Sequence, residues 1–306
     1  MRRRLPARAP PLLKGAAPGR VRSVSYIEGA LSPSPKDPGM NDEMRANVAA
    51  FEQTVRSSLA LAATLGAAEW ERPTDCPGWT VKDQFSHLVS VEASLLGDPV
   101  PEVEVPEFDH IRNDFARFLE AGVHARRSVP GPRVAAELAD VLERRLAQLP
   151  GLDPDEPTTL PNGKQGTYAL FMRFRAMDCW THEQDVRRAV GRPGNLDAPA
   201  AGCFWDILAQ GLPLVVARKA GAEPGQSVLF RISGPVERRV AVVVDGDGRG
   251  AFAGEVPDDA TAELDMEWEC YVRLTAGRCG PDAVEVRAKG DTELAGRVLA
   301  GMALTP

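Results

Sequence analysis

The sequence predicts a mainly α protein, a four-helix bundle followed by a smaller α+β domain. Three observations carry that reading. Apolar residues recur at threes and fours between Asn41 and Val190, which is the helical period. The pattern stops at GRPGNLDAP, where Gly191 and Pro193 end a helix. Beyond it, Val240, Val242 and Val244 alternate at the period of a half-buried strand. A chain of 306 residues is long enough for two cores. The expected division is an N-terminal extension over 1–39, a helical bundle over 40–195 and an α+β domain over 200–306.

Taken in order, the extension comes first. MRRRLPARAPPLLKGAAPGRVRS carries seven basic residues, no acidic ones and no apolar stretch of secretory type. GALSPSPKDPGM is rich in Pro, Gly and Ser and is expected to be disordered. A basic targeting arm is one reading; a mis-started extension with the start at Met40 is preferred. From Asn41, Met44, Val48, Phe51, Val55, Leu59 and Ala62 form one apolar stripe. Thr80 and Asp83 make a capping box for a helix from Val81 toward Leu96, with His87 in its second turn. A helix is expected from Glu107 to about Ala125, marked by Phe108, Ile111, Phe115, Phe118 and Leu119. Val134, Leu138, Val141, Leu142 and Leu146 mark another that ends near Leu149. LPGLDPDEPTTLPNGKQG reads as a long loop into a helix over Tyr168–Val190. In the second half, 201–218 reads as helix, Val228–Ile232, Glu237–Asp245, Gly248–Ala253 and Ala262–Met266 as strands, and Trp268–Ala276 and Thr292–Ala303 as helices.

Composition narrows the function classes. A net charge of −7 argues against a nucleic-acid surface, which needs a concentrated basic field. No run of 18 or more uninterrupted apolar residues occurs, so no membrane span is expected. Five cysteines, odd in number and without a CxxC pair, favour a reducing cytoplasm over a disulfide framework.

Asp178, His182 and Asp185 carry the chemistry on the Tyr168–Val190 helix. Asp178 and His182 are four residues apart, about 400° of rotation, so they share a face one turn apart. A carboxylate and a neutral imidazole so placed supply two ligands to one divalent metal, and His87 on an earlier helix offers a third. Three protein ligands leave a position for water or substrate, the catalytic arrangement for zinc; nickel, iron and manganese accept the same donors. Asp185 is expected to support an imidazole or to pair with Arg188. The bland alternative is a satisfied bundle histidine beside two partners in a wet groove. His110 and His124 are expected on solvated helix positions, as substitutes for His87 if the helix phases shift. Cys179 reads as packing, about 100° round the helix from Asp178, and nothing in sequence lowers the pKa of Cys76. Trp79 and Trp180 pack at helix ends or wall a pocket. Arg173, Arg175, Arg187 and Arg188 form a basic cluster in which one guanidinium fork can hold an anion.

WERPTDCPGWTVKDQFSHL resembles the opening motif of the mycothiol-dependent maleylpyruvate isomerase family, within the wider DinB-like metal-binding bundles. RFRAMDCWTHEQDVRRAVGRP looks like that family's second motif. AELDMEWECYVRLTAGRC and VRAKGDTELAGRVLAGMALTP look like its C-terminal domain, similar to sterol-carrier domains. The resemblance runs from about Met40 to Pro306. It implies His87, Asp178 and His182 as metal ligands, with Asp178 where the characterised isomerase type has glutamate. It also implies a C-terminal-domain arginine in catalysis, for which Arg278 is preferred over Arg297. The function implied is a metal-dependent, mycothiol-using isomerase or S-transferase acting on a small, anionic electrophile. A non-catalytic metal-binding or regulatory bundle is the alternative. The expected partners are therefore the small thiol and the small electrophile, and neither nucleic acid nor membrane.

Overall fold

In the computed structural model, residues 39–257 and 259–305 are described; the basic N-terminal stretch lies outside them. The chain forms two compact units that divide between Pro193 and Gly194.

The first unit is mainly helical. Its elements are α1 (Asp42–Ala62), α2 (Ala67–Trp70), α3 (Val81–Leu95), α4 (Asp114–His124), α5 (Gly131–Gln148) and α6 (Tyr168–Val190). A hairpin of β1 (Pro157–Thr159) and β2 (Gln165–Thr167) leads into α6. Helix starts follow local chemistry. The Asn41 side chain accepts from the Met44 amide at 2.8 Å, and Thr80 and Asp83 cap α3 reciprocally. Thr167 caps α6 through the Leu170 amide at 3.1 Å, and Gly191 closes it in the left-handed conformation, φ 66°.

The apolar stripes close a ring in which α1 packs on α6, α6 on α3, α3 on α5 and α5 on α1, while α4 packs on α3. Met44, Phe51, Val55, Phe85, Leu138, Leu142, Met172 and Trp180 are buried at its centre. Each such side chain contributes about 1.5–3 kcal/mol relative to an exposed one. Helix α4 approaches α3 closely because Gly122 has no side chain: a Cβ there would stand 2.1 Å from Ser90 Oγ.

Two sequence expectations are corrected here. The helix expected from Glu107 begins at Asp114, because the Asn113 side chain caps it through the Ala116 amide at 2.8 Å. Phe108 and His110 are spent instead on a loop stack, with ring centroids 5.3 Å apart. The long loop before α6 holds the β1–β2 hairpin, whose three-residue strands are too short to show a period.

The second unit is mixed α/β. A helical stretch, Pro199–Lys219, contains α7 (Pro199–Leu208), a 3₁₀ turn, α8 (Leu212–Leu214) and a π-helical end at Val215–Lys219. By length and composition this stretch is apolar enough to cross a membrane. Ala201, Phe204, Leu212, Val215 and Val216 are nevertheless buried within the fold, as in a core helix. The strands are β3 (Ser227–Ser233), β4 (Arg238–Val244), β5 (Gly250–Phe252), β6 (Ala262–Glu267) and β7 (Val286–Gly290), in sheet order β5-β4-β3-β6-β7. β3 and β6 run parallel, and the other pairs are antiparallel. The helices α9 (Trp268–Thr275) and α10 (Thr292–Ala300) complete the unit. The strand β7 was not expected, since its residues are largely exposed and show no apolar alternation. None of the five cysteines forms a disulfide.

Candidate metal centre

Helices α3 and α6 bring three predicted residues together. His87 Nε2 stands 3.3 Å from Asp178 Oδ2, and His182 Nε2 stands 3.5 Å from Asp178 Oδ1. The two imidazole centroids are 4.6 Å apart, and one ligand atom from each of the three residues lies within 4.8 Å of the others. Both histidines are buried and Asp178 is half-buried. Donor atoms bonded to zinc at about 2.0–2.2 Å in a tetrahedron stand about 3.3–3.6 Å apart, and the separation of His182 Nε2 from Asp178 Oδ1 falls in that range.

The proton inventory strengthens that fit. Thr74 Oγ1 donates its single proton to a backbone carbonyl, with Trp79 O at 2.9 Å. It therefore accepts from Gln84 Nε2 at 2.7 Å, which orients the amide and turns Gln84 Oε1 to His182 Nδ1 at 2.5 Å. An amide oxygen only accepts, so His182 Nδ1 carries a proton. In the neutral ring Nε2 then holds a lone pair, aimed at the Asp178 carboxylate. A carboxylate facing that atom is satisfied either by a proton on Nε2 or by a cation held between them. His87 Nδ1 is buried without a hydrogen-bond partner, so the ring meets the cluster through Nε2. The donor set of two imidazoles and a carboxylate fits a divalent metal.

Electrostatics agree. Burial pushes the His87 imidazole down to about 4 against the attraction of Asp178, so the ring is neutral near pH 7, the form that ligates. Burial alone would raise Asp178, but the Arg175 guanidinium outweighs it and holds the carboxyl well below the ordinary aspartate range. Cys179 is buried, and burial raises its thiol well above the ordinary value, as suits a packing residue.

Trp79 walls the cluster, with its ring centroid 5.1 Å from His87 and 5.7 Å from His182. Its Nε1 donates to Glu120 Oε2 at 2.9 Å, and His110 Nε2 meets the same oxygen at 3.0 Å. Arg127 pairs with the other Glu120 oxygen at 2.7 Å. The turn before Trp79 depends on Gly78, which has φ 77° and whose Cβ position is 2.2 Å from His110 Nδ1. His110 is thus a loop residue that braces the wall, rather than a solvated helix residue or a substitute for His87. His124, at the end of α4, is also partly buried, with its Nδ1 enclosed.

The remaining candidates fall into place. Asp185 Oδ1 pairs with Arg188 at 2.5 Å, and its Oδ2 is 3.7 Å from His182 Nδ1, beyond hydrogen-bond reach. Cys76, His182 and Asp185 also offer ligand atoms within 4.8 Å of one another. There, however, the His182 proton is committed to Gln84 and Asp185 to Arg188. The basic cluster consists of internal pairs, with Arg173 on Glu43 at 2.9 Å, Arg187 on Glu183 at 2.8 Å, and Arg175 on Glu92 and Asp178. Trp180 is fully buried. In the second unit Arg278 follows α9 and donates to Ala276 O at 3.0 Å, while Arg297 donates to Ala220 O at 2.8 Å.

Sequence reasoning missed Gln84, Thr74 and Glu120. Gln84 lies three residues before His87, on the same helix face, and that spacing was the available signal. Thr74 and Glu120 join through tertiary contacts that no spacing records.

Residues 51–187 match the family model of the mycothiol maleylpyruvate isomerase N-terminal domain. This region of the chain resembles that family. Two solved structures, of mycothiol-dependent maleylpyruvate isomerase and of a histidine-to-alanine mutant, are 14% and 13% identical to the chain, with TM-scores of 0.44 and 0.43. Each alignment covers 79% of this chain and 92% of the other. At that identity and score they add no argument to the family match. A search of curated proteins finds no match.

Proposed function

We propose that this chain is a metal-dependent enzyme that uses a small thiol, mycothiol, to isomerise or S-conjugate a small anionic electrophile in the cytoplasm. His87, Asp178 and His182 are the proposed ligands, and zinc is the first candidate metal. The observation that carries the reading is the convergence of His182 Nε2 and the neutral His87 on the Asp178 carboxylate, with His182 Nδ1 held by Gln84. When bound, the metal supplies positive charge that favours the thiolate, the form of a thiol that attacks an electrophilic carbon.

The chain's own residues supply position and shelter. Gln84 fixes the proton of His182 at Nδ1, leaving Nε2 as the donor. Asp178 brings a carboxylate that stays ionised across the neutral range. Trp79 covers one side of the imidazole pair and keeps water from it. Arg278 is the proposed grip for a substrate carboxylate, supported by the family resemblance and by the bidentate geometry of guanidinium. The accompanying fold reading is a DinB-like bundle over 40–195 and a sterol-carrier-like domain over 200–306.

The test is a turnover screen of small unsaturated and electrophilic acids with mycothiol, before and after chelation. Thiol-dependent turnover that disappears on metal removal and returns with zinc is the expected result. A protein that neither binds the thiol nor turns over any electrophile points to a non-catalytic bundle instead.

A further inference from the structure

Asp178 is gripped from behind by a line of buried charges. Arg175 Nη1 donates to Asp178 Oδ2 at 2.8 Å, and its Nε donates to Glu92 Oε1 at 2.7 Å. The second Glu92 oxygen accepts from Arg145 Nε at 2.9 Å, and Arg145 Nη2 reaches the Tyr168 hydroxyl at 3.0 Å. Arg175, Glu92 and Arg145 are 5%, 1% and 0% exposed. The line crosses three helices: Glu92 on α3, Arg145 on α5, Arg175 and Asp178 on α6.

Such a line is costly to bury. Removing a charge from water costs several kcal/mol unless its partners are well placed, and apolar residues would fill the same volume more cheaply. Two guanidiniums against two carboxylates balance the charge. The planar guanidinium suits the task because one rigid group donates in two directions. Glu92, held by two arginines, is the fixed end of the line, and Asp178 is the end that reaches the cluster.

We infer that Arg175 is a positioning residue for Asp178, anchored by Glu92 and Arg145, and that it sets how the carboxylate meets the metal. Arg175 holds Oδ2, the oxygen that His87 Nε2 also faces, and leaves Oδ1 directed at His182 Nε2. It also stops the Asp178 side chain from swinging out to solvent, where its half-buried position would let it go. An aspartate is one methylene shorter than a glutamate and has less reach, so a fixed backing group matters more to it. The inference rests on the metal reading above.

The test uses the full chain as wild type, Arg175→Lys and Glu92→Gln. Zinc affinity is measured by competition with a chromophoric chelator, and the visible spectrum is recorded with Co²⁺ alone in the site. Lysine keeps the charge but cannot hold Glu92 and Asp178 at once. It should weaken zinc by about 10–100-fold, the usual effect of losing a group that orients a ligand, and alter the Co²⁺ bands. Glu92→Gln loosens the anchor while leaving Arg175 in place, and should move both readouts the same way by less. A wild type that takes up no divalent ion refutes the metal reading itself. A wild type that binds, beside folded variants with unchanged affinity and spectrum, overturns the role of Arg175 alone. If Arg175→Lys does not fold, Glu92→Gln decides; if neither folds, the line is structural only and the inference is wrong.

Discussion

Replacing Gln84 with leucine tests the proton inventory of the site most sharply. Gln84 is 1% exposed and makes two side-chain bonds, to Thr74 Oγ1 at 2.7 Å and with His182 Nδ1 at 2.5 Å. Leucine fills much of the same space and makes neither. Thr74 keeps its bond to Trp79 O at 2.9 Å, so the principal loss is an acceptor for the buried His182 Nδ1 proton. Asp185 Oδ2, at 3.7 Å, is too far to take it without movement. One unsatisfied buried donor costs about 1–3 kcal/mol, which denaturant unfolding of the metal-free protein will read as a lower midpoint. Freed of Gln84, the ring is no longer committed to the Nδ1–H tautomer, and zinc should bind about 10–100-fold more weakly. Nitrogen chemical shifts of His182 give the tautomer directly, with Nδ1 protonated in the wild type and a mixture in the variant. Gln84→Glu is the control: it keeps an acceptor toward His182 and should keep the metal. If Gln84→Leu preserves stability, tautomer and zinc affinity, the lone-pair argument is wrong.

Other expectations follow from single features. Gly78→Ala places a methyl 2.2 Å from His110 Nδ1 at φ 77°, where His110 is stacked on Phe108 and bonded to Glu120. The backbone strain alone costs about 1–2 kcal/mol, and tryptophan fluorescence should report displacement of Trp79; unchanged stability and emission would count against a braced wall. Burial raises the Glu92 carboxyl, but Arg175 and Arg145 outweigh it and hold the group below its ordinary 4.5. Its stabilising contribution is therefore fully present above that value and lost as pH falls through the lower, folded value. The stability gap between wild type and Glu92→Gln should be constant near neutrality and shrink in acid, and a gap that stays flat refutes the pairing. Arg278→Ala should raise KM for carboxylate substrates, and unchanged saturation kinetics for every active substrate would remove it from the site.

Much of the arrangement was legible because it rests on local rules. The i, i+4 spacing of Asp178 and His182 places them on one face of α6 whatever the tertiary structure. The Thr80–Asp83 capping box fixed the start of α3 and with it the phase of His87. The switch from helical to alternating period marked the second unit. What escaped detection depends on long-range contacts. Phe108 and Ile111 continue the apolar period of α4, yet the Asn113 cap starts the helix after them. Glu92, Arg145 and Arg175 read as ordinary charged residues, and only the packing of three helices shows them buried and paired. The edge strand β7 is held by its pairing with β6, which its own composition does not announce.

The central claim is that His87, Asp178 and His182 hold one divalent metal. The most direct measurement is elemental analysis of the purified wild type and of His182→Ala after zinc loading and exhaustive dialysis, with circular dichroism confirming that both are helical. One ion per wild-type chain and none retained by His182→Ala is the predicted result. Zinc retained by His182→Ala at the wild-type stoichiometry and affinity contradicts it.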